Sequence, residues 1–213
     1  MAQCVSYQSG SIAGAEDGER AYAAVESRRG GPGTGLGCAV NVEVRDATPA
    51  DLPATLAIYN ELIGSTTVAW SEHPQTLDER RAWFERQRAR NFPSLVAVVD
   101  HEIVGMTSYG DFRDSFHWPG YRFTAEHSIH VRQDRRRHGI GRLLMDELIA
   151  RALRGGIHVL VGALDADNAD SIRFHQTLGF VEVARLPETG FKFGHWLDLV
   201  LMQRMLDGPS GPA

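Results

Sequence analysis

A run of basic residues interrupted by two glycines occupies residues 132–142, which read Arg-Gln-Asp-Arg-Arg-Arg-His-Gly-Ile-Gly-Arg. Gly139 and Gly141 have no Cβ, so their backbone N–H groups can come close to a bound group. A helix predicted to begin at Gly141 adds free N–H groups and the positive end of its dipole. The surrounding arginines can add charge-assisted hydrogen bonds. This chemistry indicates diphosphate binding, and the alternative is a solvated basic turn without a ligand.

Two other phosphate-binding patterns are not met. The dinucleotide pattern Gly-x-Gly-x-x-Gly fails because Leu144 stands where its third glycine belongs. Residues 30–37 are rich in glycine, but they have no preceding strand and no Gly-Lys-Ser/Thr ending. A flexible linker is predicted there, and NAD is not favoured as a ligand.

The elements around the basic turn are predicted from periodicity. Residues 121–131 alternate as a strand does, and residues 141–153 carry apolar residues at helical spacing. Residues 94–99 and 102–109 are β-rich runs separated by two residues, which predicts an antiparallel hairpin. The basic turn therefore lies between a strand and a helix.

The remaining elements complete an α/β (α+β) fold, a mixed sheet with helices on both faces. Thr48 and Thr76 carry capping signals for two helices. Further strands and one more helix follow the same rules. The strands are predicted at 42–44, 157–164, 180–185 and 197–202, and the helix at 169–178.

Composition bounds the domain organisation and the partners. Residues 1–41 lack a sustained period and are predicted to be a disordered tail, residues 42–206 form one domain, and residues 207–213 form a short flexible tail. A formal net charge of -5 gives no global field for nucleic acid or an anionic membrane. Without an apolar run long enough to span a bilayer, a cytoplasmic location is expected.

Metal and cysteine chemistry are not expected. Cys4 and Cys38 match no zinc or redox spacing. His127 and His130 are three residues apart on a predicted strand, so their side chains point to opposite faces and do not form a metal pair with His117.

Several linked motifs resemble the GNAT superfamily of acyl-CoA N-acetyltransferases, and more closely its phosphinothricin and methionine sulfoximine N-acetyltransferases. The pyrophosphate loop of the superfamily is matched by Arg136-x-x-Gly139-x-Gly141. The other matching stretches are 58–61, 121–128, Asn168-x-x-Ser171, 178–180 and 192–198. The resemblance spans residues 42 to 206 and implies a mostly antiparallel central sheet and acetyl-CoA as the acetyl donor.

The resemblance also implies which residues contact the cofactor. The backbone of strand residues 129–131 would pair with the pantetheine arm of the cofactor. The glycine loop would hold the pyrophosphate, and Asn168 would contact the cofactor further along. His130 replaces the aromatic residue that is usual in the family. The predicted cofactor-binding residues are Ile129, His130, Val131, Arg136, Arg137, His138, Gly139, Ile140, Gly141, Arg142, Asn168 and Ser171.

Two residues are predicted to be catalytic. Glu126 shares a strand face with Ser128 and His130, and its carboxylate can take the proton of an attacking amine. The alternative is a structural hydrogen-bond network, although the family resemblance places a catalytic glutamate at this position. His175 stands where many superfamily members carry tyrosine and could donate a proton to the leaving thiolate. The alternative for His175 is a helix histidine packed under the sheet.

The acceptor is expected to be a small zwitterionic amino-acid analogue such as phosphinothricin, methionine sulfoximine or methionine sulfone. Arg113 or Arg122 could clamp an acid group, with surface charge as the alternative. Phe112, Trp118 and Tyr121 would wall a compact pocket. The predicted substrate-binding residues are Phe112, Arg113, Tyr121, Arg122 and Thr124.

Two other functions remain open at this stage. One is a catalytically silent acyl-CoA-binding sensor on the same fold, and the other is acetylation of a different amine, such as a polyamine or a protein N-terminus. A homodimer is expected only because relatives form one, with residues 192–196 near the shared site.

Overall fold

A computed structural model describes residues 21–25 and 40–206, which form one eight-stranded sheet and four α-helices. The strands are β1 (Ala21–Val25), β2 (Val40–Asp46), β3 (Ser94–Val99), β4 (Glu102–Asp111), β5 (Thr124–Val131), β6 (Val159–Asp165), β7 (Val181–Lys192) and β8 (His195–Met205). The helices are α1 (Leu52–Ser65), α2 (Leu77–Ala89), α3 (Ile140–Arg154) and α4 (Ala169–Thr177).

The sheet is mixed and mostly antiparallel, as the sequence predicts. Its strand order is β1-β2-β3-β4-β5-β6-β8-β7. Every neighbouring pair is antiparallel except β5 and β6, which run parallel. A parallel pair needs a long crossover connection, and the crossover from β5 to β6 contains α3.

Helices cover both faces of the sheet. Helix α3 packs on one face through Leu144, Met145 and Leu148, whose side chains are fully buried in the main core. Helix α1 covers the other face, where Ile58 packs with Val96 and Met106. None of the helices in residues 40–206 is long and apolar enough to cross a membrane.

The predicted helix starts are confirmed. Thr48 and Asp51 form a capping box around a short 3-10 turn that leads into α1. The Asp51 carboxylate accepts hydrogen bonds from the Thr48 N–H group at 2.7 Å and from Arg45 at 2.7 and 2.9 Å. Thr76 and Glu79 form the second capping box, which begins α2. These reciprocal bonds satisfy N–H groups that a helix leaves unpaired.

Several boundaries differ from the sequence prediction. Strand β5 begins at Thr124 rather than at residue 121, because Pro119–Tyr121 forms a 3-10 turn. Strands β7 and β8 have 12 and 11 residues, longer than the predicted ranges 180–185 and 197–202. Strand β1 pairs with β2 and lies inside the segment assigned to a tail. The predicted linker at 30–37 and the tail at 207–213 lie outside the described residues.

Candidate active site

Strands β5 and β6 pair only over the first half of β5. Their pairs run from Thr124 with Val159 to His127 with Gly162. Strand β6 pairs with β8 on its other edge along its whole length, and beyond His127 strand β5 keeps only its partner on the other side, β4. In the described part of the chain, the β6 side of residues 129–131 therefore has no strand partner. Predicted cofactor contacts Ile129, His130 and Val131 lie in this stretch, whose free backbone groups can pair with an extended ligand.

The glycine turn places free N–H groups at the start of α3. Gly139 has a φ of 76° and is the N-cap residue of the helix, a left-handed conformation that glycine adopts without strain. The N–H groups of Arg137, His138 and Gly139 donate to no acceptor among residues 40–206. Arg136 is held at the end of β5, because its Nε atom donates to the Val131 carbonyl at 3.1 Å. The turn has the features of an anion site.

Two further arginines flank this turn. The exposed Arg137 guanidinium lies 3.6 Å from the Asp170 carboxylate. Arg142 donates to Asp146 at 2.9 Å and to the Thr177 carbonyl at 3.4 Å. Both cations thus lie between α3 and α4 at the helix start.

Gly141 and Asn168 have structural roles at the same place. A Cβ on Gly141 would lie 3.3 Å from the Phe174 ring, so the glycine lets α4 approach α3 closely. Asn168 is the N-cap of α4, and its Oδ1 atom accepts from the Ser171 N–H group at 3.0 Å. In the described structure the Nδ2 group of Asn168 donates to nothing, so it stays available for a ligand.

Glu126 lies on the face of β5 that α1 and α2 cover, opposite Gly110 of β4. Its side chain is exposed on one side, yet partial burial by the surrounding protein raises its pKa above the ordinary glutamate value. On the same face the Ser128 hydroxyl lies 3.2 Å from the Ser108 hydroxyl. A carboxylate with a raised pKa is a better proton acceptor, which suits the predicted base.

His175 lies on the other face of the sheet, where the β5–β6 pairing ends. Its ring stacks on His127 with a centroid distance of 5.1 Å, and its Nδ1 atom lies 2.7 Å from the Ser171 carbonyl oxygen. Burial lowers the pKa of His175, so the ring is neutral and its single proton is donated to Ser171. Of the two alternatives for His175, this geometry favours packing under the sheet.

The predicted substrate residues are partly brought together. The rings of Phe112 and Tyr121 lie 6.0 Å apart, and the Arg113 guanidinium lies 5.7 Å from the Tyr121 ring. Arg122 instead donates to the Pro119 carbonyl at 3.0 Å. Trp118 is 65% exposed, so it does not wall an enclosed pocket in the single chain.

Thr124 and the histidines considered for zinc have separate positions. Thr124 lies at the start of β5 on the face of Glu126. His117 pairs with Asp114 at 2.6 Å, His127 is in the core, and His130 packs edge-on against Tyr59. Among the described residues no group of three or more His, Cys, Asp and Glu could hold a metal ion.

A cavity of about 300 Å³ lies under α1 and α2, and neither Phe112 nor Tyr121 lines it. No motif in the sequence predicted this cavity or the buried Arg80 that lines it. The available signal was the inward stripe of α2, in which Arg80 precedes the buried Phe84 by one turn. Because charged residues are rarely buried without a partner, an arginine in such a stripe indicates a buried site that must accommodate its charge.

The sequence profile of the acetyltransferase (GNAT) family matches residues 55–180. The chain belongs to this family. The matched range runs from α1 through α4. It therefore contains Glu126, the glycine turn and the β5–β6 split, which is the point after His127 and Gly162 where the two strands stop pairing. The resemblance drawn from the motifs is confirmed.

Similar GNAT proteins include enzymes and solved structures. An L-methionine sulfoximine/L-methionine sulfone acetyltransferase of Pseudomonas paraeruginosa is 46% identical over 169 residues, which cover 79% of this chain and 96% of the relative. An N-acetyltransferase from Staphylococcus aureus Mu50 has 40% identity and a TM-score of 0.76, covering 78% of this chain and 99% of that chain. A phosphinothricin acetyltransferase from Sinorhizobium meliloti in complex with acetyl-CoA has 31% identity and a TM-score of 0.76, covering 80% and 92%.

One further GNAT motif residue, Lys192, supports the region beside the site. Its Nζ atom donates to the carbonyls of Ile63, Thr66 and Ala69 at 2.8, 2.8 and 2.5 Å. This buried ammonium therefore ties the end of β7 to the end of α1 and the segment after it. The motif at residues 192–198 did not by itself predict that role for Lys192.

Proposed function

We propose that this protein transfers the acetyl group of acetyl-CoA to the α-amine of a small amino-acid analogue of the phosphinothricin, methionine sulfoximine or methionine sulfone type. The observation that carries the proposal is the position of Glu126, next to the stretch of β5 whose backbone is unpaired. The activities named for the similar GNAT proteins support the acceptor class.

The residues around the β5–β6 split fit acetyl-CoA. Free N–H groups at the start of α3, with Arg136, Arg137 and Arg142 around them, suit a pyrophosphate. The β6 side of the backbone at residues 129–131 has no strand partner in the described structure, although the Val131 carbonyl accepts from Arg136, and it suits the amide groups of a pantetheine arm. When bound, acetyl-CoA supplies an activated acetyl group as a thioester.

Glu126 acts as the general base in this proposal. An amine is mostly protonated at neutral pH, so the carboxylate takes its proton directly or through a water molecule as attack proceeds. The unpaired N–H groups of β5 are donors for the negative charge that develops on the acetyl oxygen.

Transfer is direct, within a ternary complex of enzyme, donor and acceptor. Ser128 lies on the Glu126 face, and its hydroxyl contacts the Ser108 hydroxyl rather than a histidine or lysine that could activate it. No cysteine is present among residues 40–206. We propose that His175 supports helix α4 rather than donating a proton, because its only proton in the neutral ring is bonded to Ser171.

We also propose that the enzyme is a homodimer. Three aromatic side chains at the β7–β8 turn, Phe191, Phe193 and Trp196, are 50%, 55% and 59% exposed in the single chain. A cluster of large apolar groups on the surface is typical of an interface. Light scattering coupled to gel filtration tests this, with twice the mass of 23.5 kDa expected and a monomer as the contradicting result.

Release of free CoA from acetyl-CoA tests the function across a panel of amines. We expect turnover with methionine sulfone, methionine sulfoximine or phosphinothricin and little with polyamines or peptide N-termini. Efficient turnover of polyamines alone would contradict the acceptor class and leave the cofactor assignment intact. Tight acetyl-CoA binding without any turnover would favour the sensor alternative.

A further inference from the structure

The cavity under α1 and α2 contains one cation and no anion. Its walls come from both helices and from strands β3, β4 and β5, and neither Asp nor Glu lines it. Arg80 of α2 lines this cavity and is only 7% exposed. Buried charges in proteins are normally paired, so the cavity lining lacks an anion to pair with the Arg80 guanidinium.

Polar atoms without a hydrogen-bond partner are concentrated in the same place. Of the buried side-chain atoms that have no hydrogen-bond partner in the described structure, four belong to residues that line this cavity. A buried polar group without a partner costs free energy, so such a group usually has an unseen partner. The four atoms are Arg80 Nε, Ser94 Oγ, His130 Nδ1 and Gln75 Oε1.

The contacts of Arg80 leave its charge unneutralised. Its Nη2 atom donates to the Met106 sulfur at 3.1 Å, and a thioether is a weak acceptor. Its guanidinium lies 4.3 Å from the Trp83 ring centre and 5.6 Å from that of Tyr59. These cation–π contacts with aromatic faces hold the guanidinium in place, but they supply no oxygen acceptor for its N–H groups. By contrast, Arg45 on the same face has the Asp51 carboxylate.

The cavity and the predicted catalytic face share one strand. Ser128 lines the cavity, is exposed, and lies two residues from Glu126 on the same face of β5. Side chains two apart on a strand are about 7 Å from each other, which a small amino acid can bridge. A ligand that enters beside Ser128 can therefore reach both Arg80 and the Glu126 side of the strand.

We propose that this cavity binds the acid group of a small ligand and that Arg80 is the residue that holds it. The ligand is a short carboxylate or phosphinate, which matches the planar fork of a guanidinium and can accept from the Ser94 hydroxyl as well. Resting on the proposed function, we assign the acid group to the acceptor amino acid. Arg80 then determines specificity for acceptors that carry a free acid group over those that lack one.

Arg80→Met is the central variant, because methionine fills similar volume and removes the charge. Arg80→Lys keeps the charge without the fork, and Arg86→Met is the control, since Arg86 is an exposed arginine on the same helix. Replacing an unpaired buried charge by an apolar side chain is expected to preserve or raise stability. Thermal unfolding without ligand verifies that each variant is folded.

Binding of glutarate, a dicarboxylate without an amine, tests the site apart from acetylation. We expect glutarate to raise the melting temperature of the wild-type and Arg86→Met proteins and to leave that of Arg80→Met unchanged. Equal shifts in all proteins, or no shift in any, would overturn the proposal and indicate a cavity filled by water alone. A glutarate effect specific to Arg80 would support the site even if no acceptor is acetylated.

Kinetics then identify the source of the acid group. The KM for methionine sulfone is compared with that for its α-carboxamide, which lacks the carboxylate. In Arg80→Met we expect the KM of the acid to rise at least about 10-fold, with little change for the carboxamide or for acetyl-CoA. Equal KM values for the acid in wild type and Arg80→Met would contradict the assignment to the acceptor.

Discussion

The Nδ1 atom of His175 lies 2.7 Å from the carbonyl oxygen of Ser171, one helical turn earlier in α4. On the proposal that His175 supports α4, this bond holds the single proton of a neutral ring, whose pKa is lowered by burial, and leaves none for a thiolate. We expect His175→Asn, which can keep a donor near Ser171, to retain turnover within about threefold. His175→Leu should lower stability by about 1 to 3 kcal/mol, because the hydrogen bond of the buried ring to the Ser171 carbonyl is lost.

Thermal unfolding and pH–rate profiles separate the two roles of His175. A general acid would show as a large loss of kcat in a stable His175→Asn protein, with a changed basic limb of the profile. A packing role predicts an unchanged profile shape in both variants.

Gly139 tests the cofactor turn. Its φ of 76° is left-handed, and a side chain there costs roughly 1 to 2 kcal/mol. We expect Gly139→Val to weaken acetyl-CoA binding at least about 10-fold in calorimetry, since the turn would rearrange. Gly64→Ala is the control because nothing lies within 4 Å of its added Cβ. Unchanged affinity in a folded Gly139→Val protein would place the pyrophosphate elsewhere.

His127 gives the fold a measurable acid sensitivity. Burial lowers its pKa to about 3, so the folded protein keeps it neutral while the unfolded chain protonates it near pH 6.5. The free energy of unfolding contributed by His127 therefore decreases as the pH falls from about 6.5 to about 3. Between about pH 6.5 and about pH 5 the loss is about 2 kcal/mol.

Urea unfolding at several pH values measures this slope. His127→Gln should flatten it by that amount, and replacement of the exposed His158 by glutamine should leave it unchanged. A slope that is identical in wild type and His127→Gln would contradict the neutral buried ring.

Arg113 tests the role of the neighbouring Phe112 and Tyr121 rings. Its guanidinium packs on Phe112 and Tyr121 and makes no ion pair among the described residues, so it can contact the side-chain phosphinate or sulfone oxygens of an acceptor whose carboxylate Arg80 holds. We expect Arg113→Ala to raise the KM for the amino-acid analogue much more than the KM for acetyl-CoA. Arg173→Ala, at an exposed position of α4, is the control. Equal effects on both KM values would point to a structural role for Arg113.

Local signals predicted most of the fold. The Asp100-His101 spacing predicted the β3–β4 turn, where both residues have positive φ, and the capping residues predicted the starts of α1 and α2. Strand β1 was missed because its sequence, Ala-Tyr-Ala-Ala-Val, has no alternation, and its pairing with β2 is a tertiary contact. Long-range pairing of this kind is not encoded in a local window.

In the candidate site, too, local motifs predicted some residues, and others depend on tertiary packing. The motifs located Glu126 and the glycine turn, because these are tied to a strand and a helix start. They did not locate Arg80, whose role depends on how α2 packs over Met106, 26 residues away. They also left His175 with two alternatives, since the direction of its ring follows from the bond to Ser171 and from stacking on His127.

The pH–rate profile of Glu126→Gln tests the central claim most directly. Turnover is measured from about pH 6 to about pH 10 beside wild type and the control Glu85→Gln, an exposed glutamate on α2. We expect Glu126→Gln to bind acetyl-CoA normally, to lose about 10²- to 10⁴-fold in kcat near neutral pH, and to recover at high pH, where the amine is already deprotonated. Wild-type turnover of Glu126→Gln at neutral pH would contradict the assignment of Glu126 as the base.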